Sequence, residues 1–190
     1  MAEGQKLNSE HFKIKNMYAK ETNTPATIVF YYDTATLLND VSIRTLFRAK
    51  NIKNQEGEAQ IEDYGLTNDE KDIFGIYLKS AIYNAFAVVV KMTTGISVDP
   101  VFVDSSTSIN STVTPNVSGF RILDNAAYNT NVLFGVDDGV FQYIRYSVLA
   151  SWYEAVGLDK EAEMWEAKKR IMRNDLITNR LFQLRKPLLN

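Results

Sequence analysis

The chain has 190 residues, 45% apolar and 23% charged, with a formal net charge of -2. That is enough to bury one core, and too little charge for a global pull toward nucleic acid or membrane. It has no cysteine and a single histidine, which excludes disulfides, zinc–thiolate sites and cysteine nucleophiles and leaves any serine–histidine relay resting on His11 alone.

Residues 1–24 are polar and lack the apolar core of a signal peptide, so a flexible leader on a protein made in the cytosol is expected. The stretch TIVFYY, residues 27–32, is β-branched and aromatic and predicts a short strand. In residues 33–50, Leu37, Leu38 and Val41, then Ile43, Leu46 and Phe47, predict one or two short helices with Arg44, Arg48 and Lys50 outward. Residues 51–65 form an acidic loop, whose Glu56, Glu58, Glu62 and Asp63 lack the spacing of a calcium-binding loop.

Thr67 opens the best-signalled helix, because Thr67 and Glu70 have capping-box spacing. Ile73, Phe74, Tyr77, Leu78, Ala81, Ala85, Val88, Val89 and Met92 follow at helical steps, and Gly95 ends the run. Its second half is apolar on most sides, which places that half in the middle of the core. Each large side chain buried there contributes roughly 1.5–3 kcal/mol. No uninterrupted apolar run approaches the roughly 20 residues of a bilayer span; residues 85–90 are the densest.

Residues 97–135 are rich in Ser, Thr, Asn and Val, and Arg121 and Arg145 are the only basic residues between Met92 and Asp159. Short strands are expected at 101–103, 111–114 and 119–123. A connection this long is either a disordered polar insertion or an extended arm. Its β-branched content and sparse glycine favour a β-hairpin arm stabilised by neighbouring subunits. Val101, Val103, Ile109, Val113, Phe120 and Ile122 are the candidate contact residues.

The final third predicts two helices folded back on each other. Asp137 is read as the cap of the first, with Val136 and Phe141 as its hydrophobic staple. Phe141, Ile144, Val148, Trp152 and Ala155 make its apolar stripe, and Gly157 is a natural left-handed stop. Asp159 is read as the next cap, and Ala162, Trp165, Met172 and Leu176 form the second stripe, interrupted by Lys169. Helices joined this tightly are antiparallel neighbours.

Beyond Ala167 there are seven basic residues, Lys168, Lys169, Arg170, Arg173, Arg180, Arg185 and Lys186, against Asp175 alone. Lys168, Lys169, Arg170 and Arg173 form a candidate basic face, suited either to solvent or to an acidic partner or DNA phosphates. Arg180, Arg185, Lys186, Leu188 and Leu189 form a candidate docking tail, which Pro187 keeps from continuing as helix. Aromatic interleaving is thin there, which argues against sequence-specific reading of nucleic acid. No phosphate-binding glycine loop is present. Asp137 and Asp138 read as helix-terminus acids, so no catalytic residue, metal site or cofactor is expected.

One resemblance rests on the order of these stretches: DVSIRTLFRAKNIK (residues 40–53), LTNDEKDIFGIYLKSAI (66–82), the polar arm, YIRYSVLASWYEAVGLDKEAEMWEAKKRIMRN (143–174) and a basic, proline-interrupted tail. Together they resemble the head–tail connector (adaptor) proteins of tailed bacteriophages, particularly those of Bacteroides and crAss-like phages, over about residues 33–187.

The resemblance implies a mainly α fold, a small helical bundle with an inserted extended β-hairpin arm. With the leader at 1–24, which has no counterpart in that family, the expected division is a bundle at 25–96 and 136–180, the arm at 97–135 and a docking tail at 181–190. Connector copies form a ring, commonly a dodecamer, between the portal protein and the downstream neck or tail component. The ring continues a channel through which DNA passes without being read. That puts the protein in the virion neck, assembled in the bacterial host cytoplasm and away from membranes, with the tail toward the portal. The alternative from residue chemistry is a small helical regulator that binds nucleic acid through the basic C-terminal helix.

Overall fold

The computed structural model describes residues 8–9, 12–13, 26–54, 57–90, 101–103, 117–124 and 133–184. In chain order the elements are β1 (Asn8–Ser9), β2 (Phe12–Lys13), β3 (Ala26–Asp33), α1 (Thr34–Asn51), α2 (Ile61–Tyr64), a 3₁₀ turn (Asn68–Glu70) and α3 (Lys71–Val90). They continue with β4 (Val101–Val103), β5 (Val117–Asp124), α4 (Leu133–Ala155), α5 (Asp159–Asp175), a π turn (Leu176–Arg180) and α6 (Leu181–Leu184). The fold is mainly α, as the sequence predicts.

Strand β3 runs straight into α1. Asp33 ends the strand and caps the helix, accepting from the Ala35 amide at 3.1 Å and the Thr36 hydroxyl at 2.6 Å. Where the sequence allows one or two short helices, α1 is a single helix of 18 residues. Leu37, Val41, Thr45 and Ala49, one turn apart, make its buried stripe. Buried Thr45 donates to the Ser42 carbonyl and accepts from the Leu66 amide, both at 3.0 Å, which ties α1 to the chain that leads into α3.

The capping box forms at Thr67. Its amide donates to Glu70 Oε2 at 2.7 Å and its hydroxyl to the same oxygen at 2.5 Å, and these hydrogen bonds hold the Glu70 carboxyl below its usual range. Phe74, Leu78, Ala81, Ile82, Ala85, Val88 and Val89 then bury one side of α3, while Ile76, Tyr83, Asn84 and Ala87 face outward. The second half of α3 is therefore a core wall with an open side, where apolarity on most sides predicts a place in the middle of the core. By length and composition alone α3 is apolar enough to cross a membrane. It reaches that composition although charges interrupt it at Lys71, Asp72 and Lys79.

Helix α4 is the centre of the core, buried at Val136, Val140, Ile144, Val148, Leu149, Trp152 and Tyr153. It starts at Leu133, and this corrects the expectation that Asp137 caps it. Val136 and Val140 are 0% exposed, so burying an apolar first turn extends the helix upstream of the aspartate. Ala155, expected in the stripe, is exposed, whereas Phe141, Ile144, Val148 and Trp152 are buried. Gly157 stops the helix at φ +74, where the Leu158 amide reaches back to the Tyr153 carbonyl at 2.8 Å. Leu158 holds the cap position of α5, so Asp159 is its first helical residue instead of its cap.

The three-stranded sheet is antiparallel, in order β3-β5-β4. Its central strand β5 comes from the segment read as an arm and pairs with β3 along its whole length, Ala26 with Asp124 through Asp33 with Val117. The sheet rests on α3. The Phe120 ring lies 5.1 Å from Phe30 on β3 and 5.6 Å, edge-on, from Phe86 on α3.

Candidate functional site

The side chains expected to act lie around the α4–α5 hairpin and its C-terminal end. On α5, Lys168 places its ammonium 4.0 Å from the centroid of the buried Trp165 ring. Lys169 pairs with Glu166 at 2.5 Å, the one-turn spacing of a helix-surface ion pair. Arg170 is exposed beside an open groove of about 1050 Å³ that Glu154, Glu163 and Glu166 also line. Arg173 is half-buried, and its charge partly offsets the upward push of burial on the Tyr143 hydroxyl. The basic face is thus interleaved with carboxylates from both helices.

Arg180 closes the C-terminal end. It lies at the end of the π turn and bonds Asp175 Oδ2 at 2.6 Å, Asp138 Oδ2 at 3.1 Å and the Gly135 carbonyl. Burial alone would lower the guanidinium pKa, but the bonds and charges of the two aspartates outweigh it and raise it. Hydrogen bonds from Asn179 and Arg180 hold the Asp175 carboxyl below its usual range. The close approach depends on Gly139, where an added Cβ would come within 2.7 Å of Leu176 Cδ2 and 3.1 Å of Arg180 Cδ. Arg180, read as a docking residue, bonds its own chain through Nε and Nη1. Arg185, Lys186, Leu188 and Leu189 lie outside the described residues.

Of the arm residues, Phe120 is 0% exposed and belongs to the chain's own core, which leaves no ring surface for a neighbouring subunit. Val101 and Val103 lie on β4, opposite Arg121 and Gly119, and Ile122 lies on β5 opposite Ile28. Ile109 and Val113 fall outside the described residues.

Two polar features escape sequence reading. Arg145 on α4 reaches Asp40 of α1 at 3.3 Å, and its guanidinium lies 5.7 Å and 5.3 Å from the Phe141 and Tyr146 rings. Asp40 also holds Arg44, so one carboxylate serves two helices. The second feature is Asp137, 3% exposed, whose Oδ1 has no hydrogen-bond partner among the described residues. Burial, then the charge of Asp138, pushes its carboxyl up to about 9, so it is protonated and neutral at pH 7. Tyr32 on β3 feels the same group, and burial followed by Asp137 drives its hydroxyl well above the usual range.

A lone carboxylic acid beside a phenol offers no nucleophile–base pair and no cation cage. Among the described residues no group of three or more His, Cys, Asp or Glu side chains could hold a metal ion. No protein-family profile, characterised protein sequence or solved structure matches this chain.

Proposed function

We propose that the protein is a structural component of a phage neck, a connector whose copies form a ring between portal and tail and continue the DNA channel. The observation that carries this reading is how the three stretches that resemble connector proteins fold. Residues 40–53 supply most of α1, residues 66–82 supply the capping box and first half of α3, and residues 143–174 supply the α4–α5 hairpin. Helices α1, α3 and α5 from these stretches all pack on α4 and bury one common core. A second support is surface chemistry: Ile43, Phe47, Ile73, Ile76 and Tyr83 stay exposed although that core is complete without them. Contiguous exposed apolar faces on a folded bundle suit contacts with another surface.

The mechanism is geometric. The bundle sets subunit spacing, the Arg180 bonds fix the direction in which the chain leaves α6, and the residues after Leu184 engage the portal. Phe182 on α6, exposed beside that exit, begins the apolar character that Leu188 and Leu189 continue. The regulator alternative draws less support, because Lys168 and Lys169 already face Trp165 and Glu166.

Deleting residues 185–190 tests the docking, since it leaves the Arg180 bonds intact. Loss of binding to the purified portal, with unchanged thermal stability, is expected. Unchanged portal binding would refute docking through the tail. Binding of duplex DNA by the isolated chain with a steep salt dependence would favour the regulator.

A further inference from the structure

Two exposed helix faces lie on different flanks of α4, because α1 and α3 each pack on α4 and scarcely on each other. On α1, Ile43 and Phe47 stand one turn apart, and Phe47 is 71% exposed. Basic residues gather at the same end of the helix: Arg44 pairs with Asp40 and Arg48 with Glu161, and Lys50 and Lys53 follow them. On α3, Ile73, Ile76 and Tyr83 share one face with Ser80 and Ala87, and Ile76 is 68% exposed. Its N-terminal end carries Asp69 and Asp72 with Lys71 between them, while Glu70 is held by Thr67 in the capping box.

We propose that the α1 face of one copy docks antiparallel on the α3 face of a second copy, forming the repeating contact of the ring. The proposal rests on the connector reading above and specifies which surfaces close the ring. Antiparallel alignment brings the basic C-terminal end of α1 to the acidic N-terminal end of α3. Lys50 then meets Asp69 or Asp72, Phe47 meets Ile73 and Ile76, and Ile43 continues toward Ser80. The helix dipoles oppose favourably in that alignment. The reverse alignment would put the basic end of α1 beside the uncharged second half of α3, residues 83–90. Two different surfaces on one chain make a head-to-tail contact, which propagates and closes into a ring if the rotation permits. A face that merely paired with itself would stop at a dimer.

The chain contains no cysteine, so the contact can be tested by crosslinking the full-length protein. A Phe47→Cys, Ile76→Cys double variant under mild oxidation should give a disulfide ladder extending beyond the dimer. Each single variant should give almost none. Both positions are exposed, so the fold tolerates the changes. Lys50→Glu added to the double variant should slow laddering about two- to threefold, the size of an exposed ion pair, and Asp72→Lys should restore it.

Dimers from either single variant would overturn the proposal by showing a self-paired face. An oligomeric wild type by light scattering, with no ladder from the double variant, would overturn this contact and leave the ring reading standing. A wild type that stays monomeric at high concentration, again with no ladder, would overturn the contact as well. The ring is then judged from intact particles, independently of these residues. Binding of the wild type to phosphatidylcholine–phosphatidylglycerol vesicles, abolished by Ile76→Asp, would overturn it by assigning the α3 face to a bilayer.

Discussion

The α4–α5 hairpin closes on itself through Val156, Gly157 and Leu158, whereas the β3–β5–β4 sheet joins Ala26 to Asp124 across most of the intervening chain. Both regions rest on aromatic side chains, Trp152, Tyr153 and Trp165 in the hairpin and Phe30, Phe86 and Phe120 around the sheet. They differ in what holds them in place. The hairpin needs only a left-handed glycine and two periodic stripes, so its contacts form between chain neighbours. The sheet must close a long loop before its ladder gains anything, and it is attached through the Phe30, Phe86 and Phe120 cluster on α3 and through Tyr32 against Phe141 on α4.

The largest expected effect breaks that cluster. Phe120→Ala should cost about 3–5 kcal/mol in urea denaturation, the usual cost of removing a fully buried ring. A loss below about 1 kcal/mol would show that the sheet contributes little to the bundle's stability.

Asp137 and Tyr32 mark the place where sheet and hairpin meet. The Asp137 carboxyl goes from an unfolded value near 3.8 to about 9 in the fold. Between those values the folded chain holds a proton that the unfolded chain has released, so stability falls as pH rises through this window. The slope for one proton is about 1.4 kcal/mol per pH unit. Asp137→Asn should remove it, and denaturation at pH 5, 6.5 and 8 would measure the difference. Parallel pH profiles for variant and wild type would mean the carboxylate is already ionised in the fold.

Trp152 tests the hairpin's side of the comparison. Its Nε1–H donates to the Tyr64 carbonyl at 3.0 Å, tying α4 to α2. Trp152→Phe keeps most of the ring but leaves that carbonyl without its donor, and should cost about 1–3 kcal/mol. The smallest effect belongs to the strand–helix joint. Asp33→Ala removes the cap of α1 and should cost about 1 kcal/mol, with Asp33→Asn nearly neutral.

The same contrast explains how much was legible in the sequence. The capping box at Thr67 and Glu70, the stop at Gly157 and the buried stripe of α4 are local signals, and each forms. Asp137 misled because an aspartate before an apolar run resembles a cap, whereas Val136 and Val140 make it profitable to bury the turn upstream. A single buried carboxyl has no sequence signature. Strand character in residues 27–32 and 119–123 is legible, but that the two pair is not, because pairing follows from three-dimensional register and not from composition. The charge run after Ala167 suggested a basic surface. The one-turn spacing of Glu166 and Lys169 marks their ion pair in the sequence, but nothing there shows that Asp138 and Asp175 answer Arg180. Gly139 in a helix interior was the one visible hint of close packing there.

Reconstruction of an intact virion with its neck resolved is the most direct test of the connector reading. The expected result is this chain as a closed ring between portal and tail, with α1 of each copy against α3 of the next and the residues after Leu184 on the portal. A neck fully accounted for by other chains, with this one absent, would contradict it.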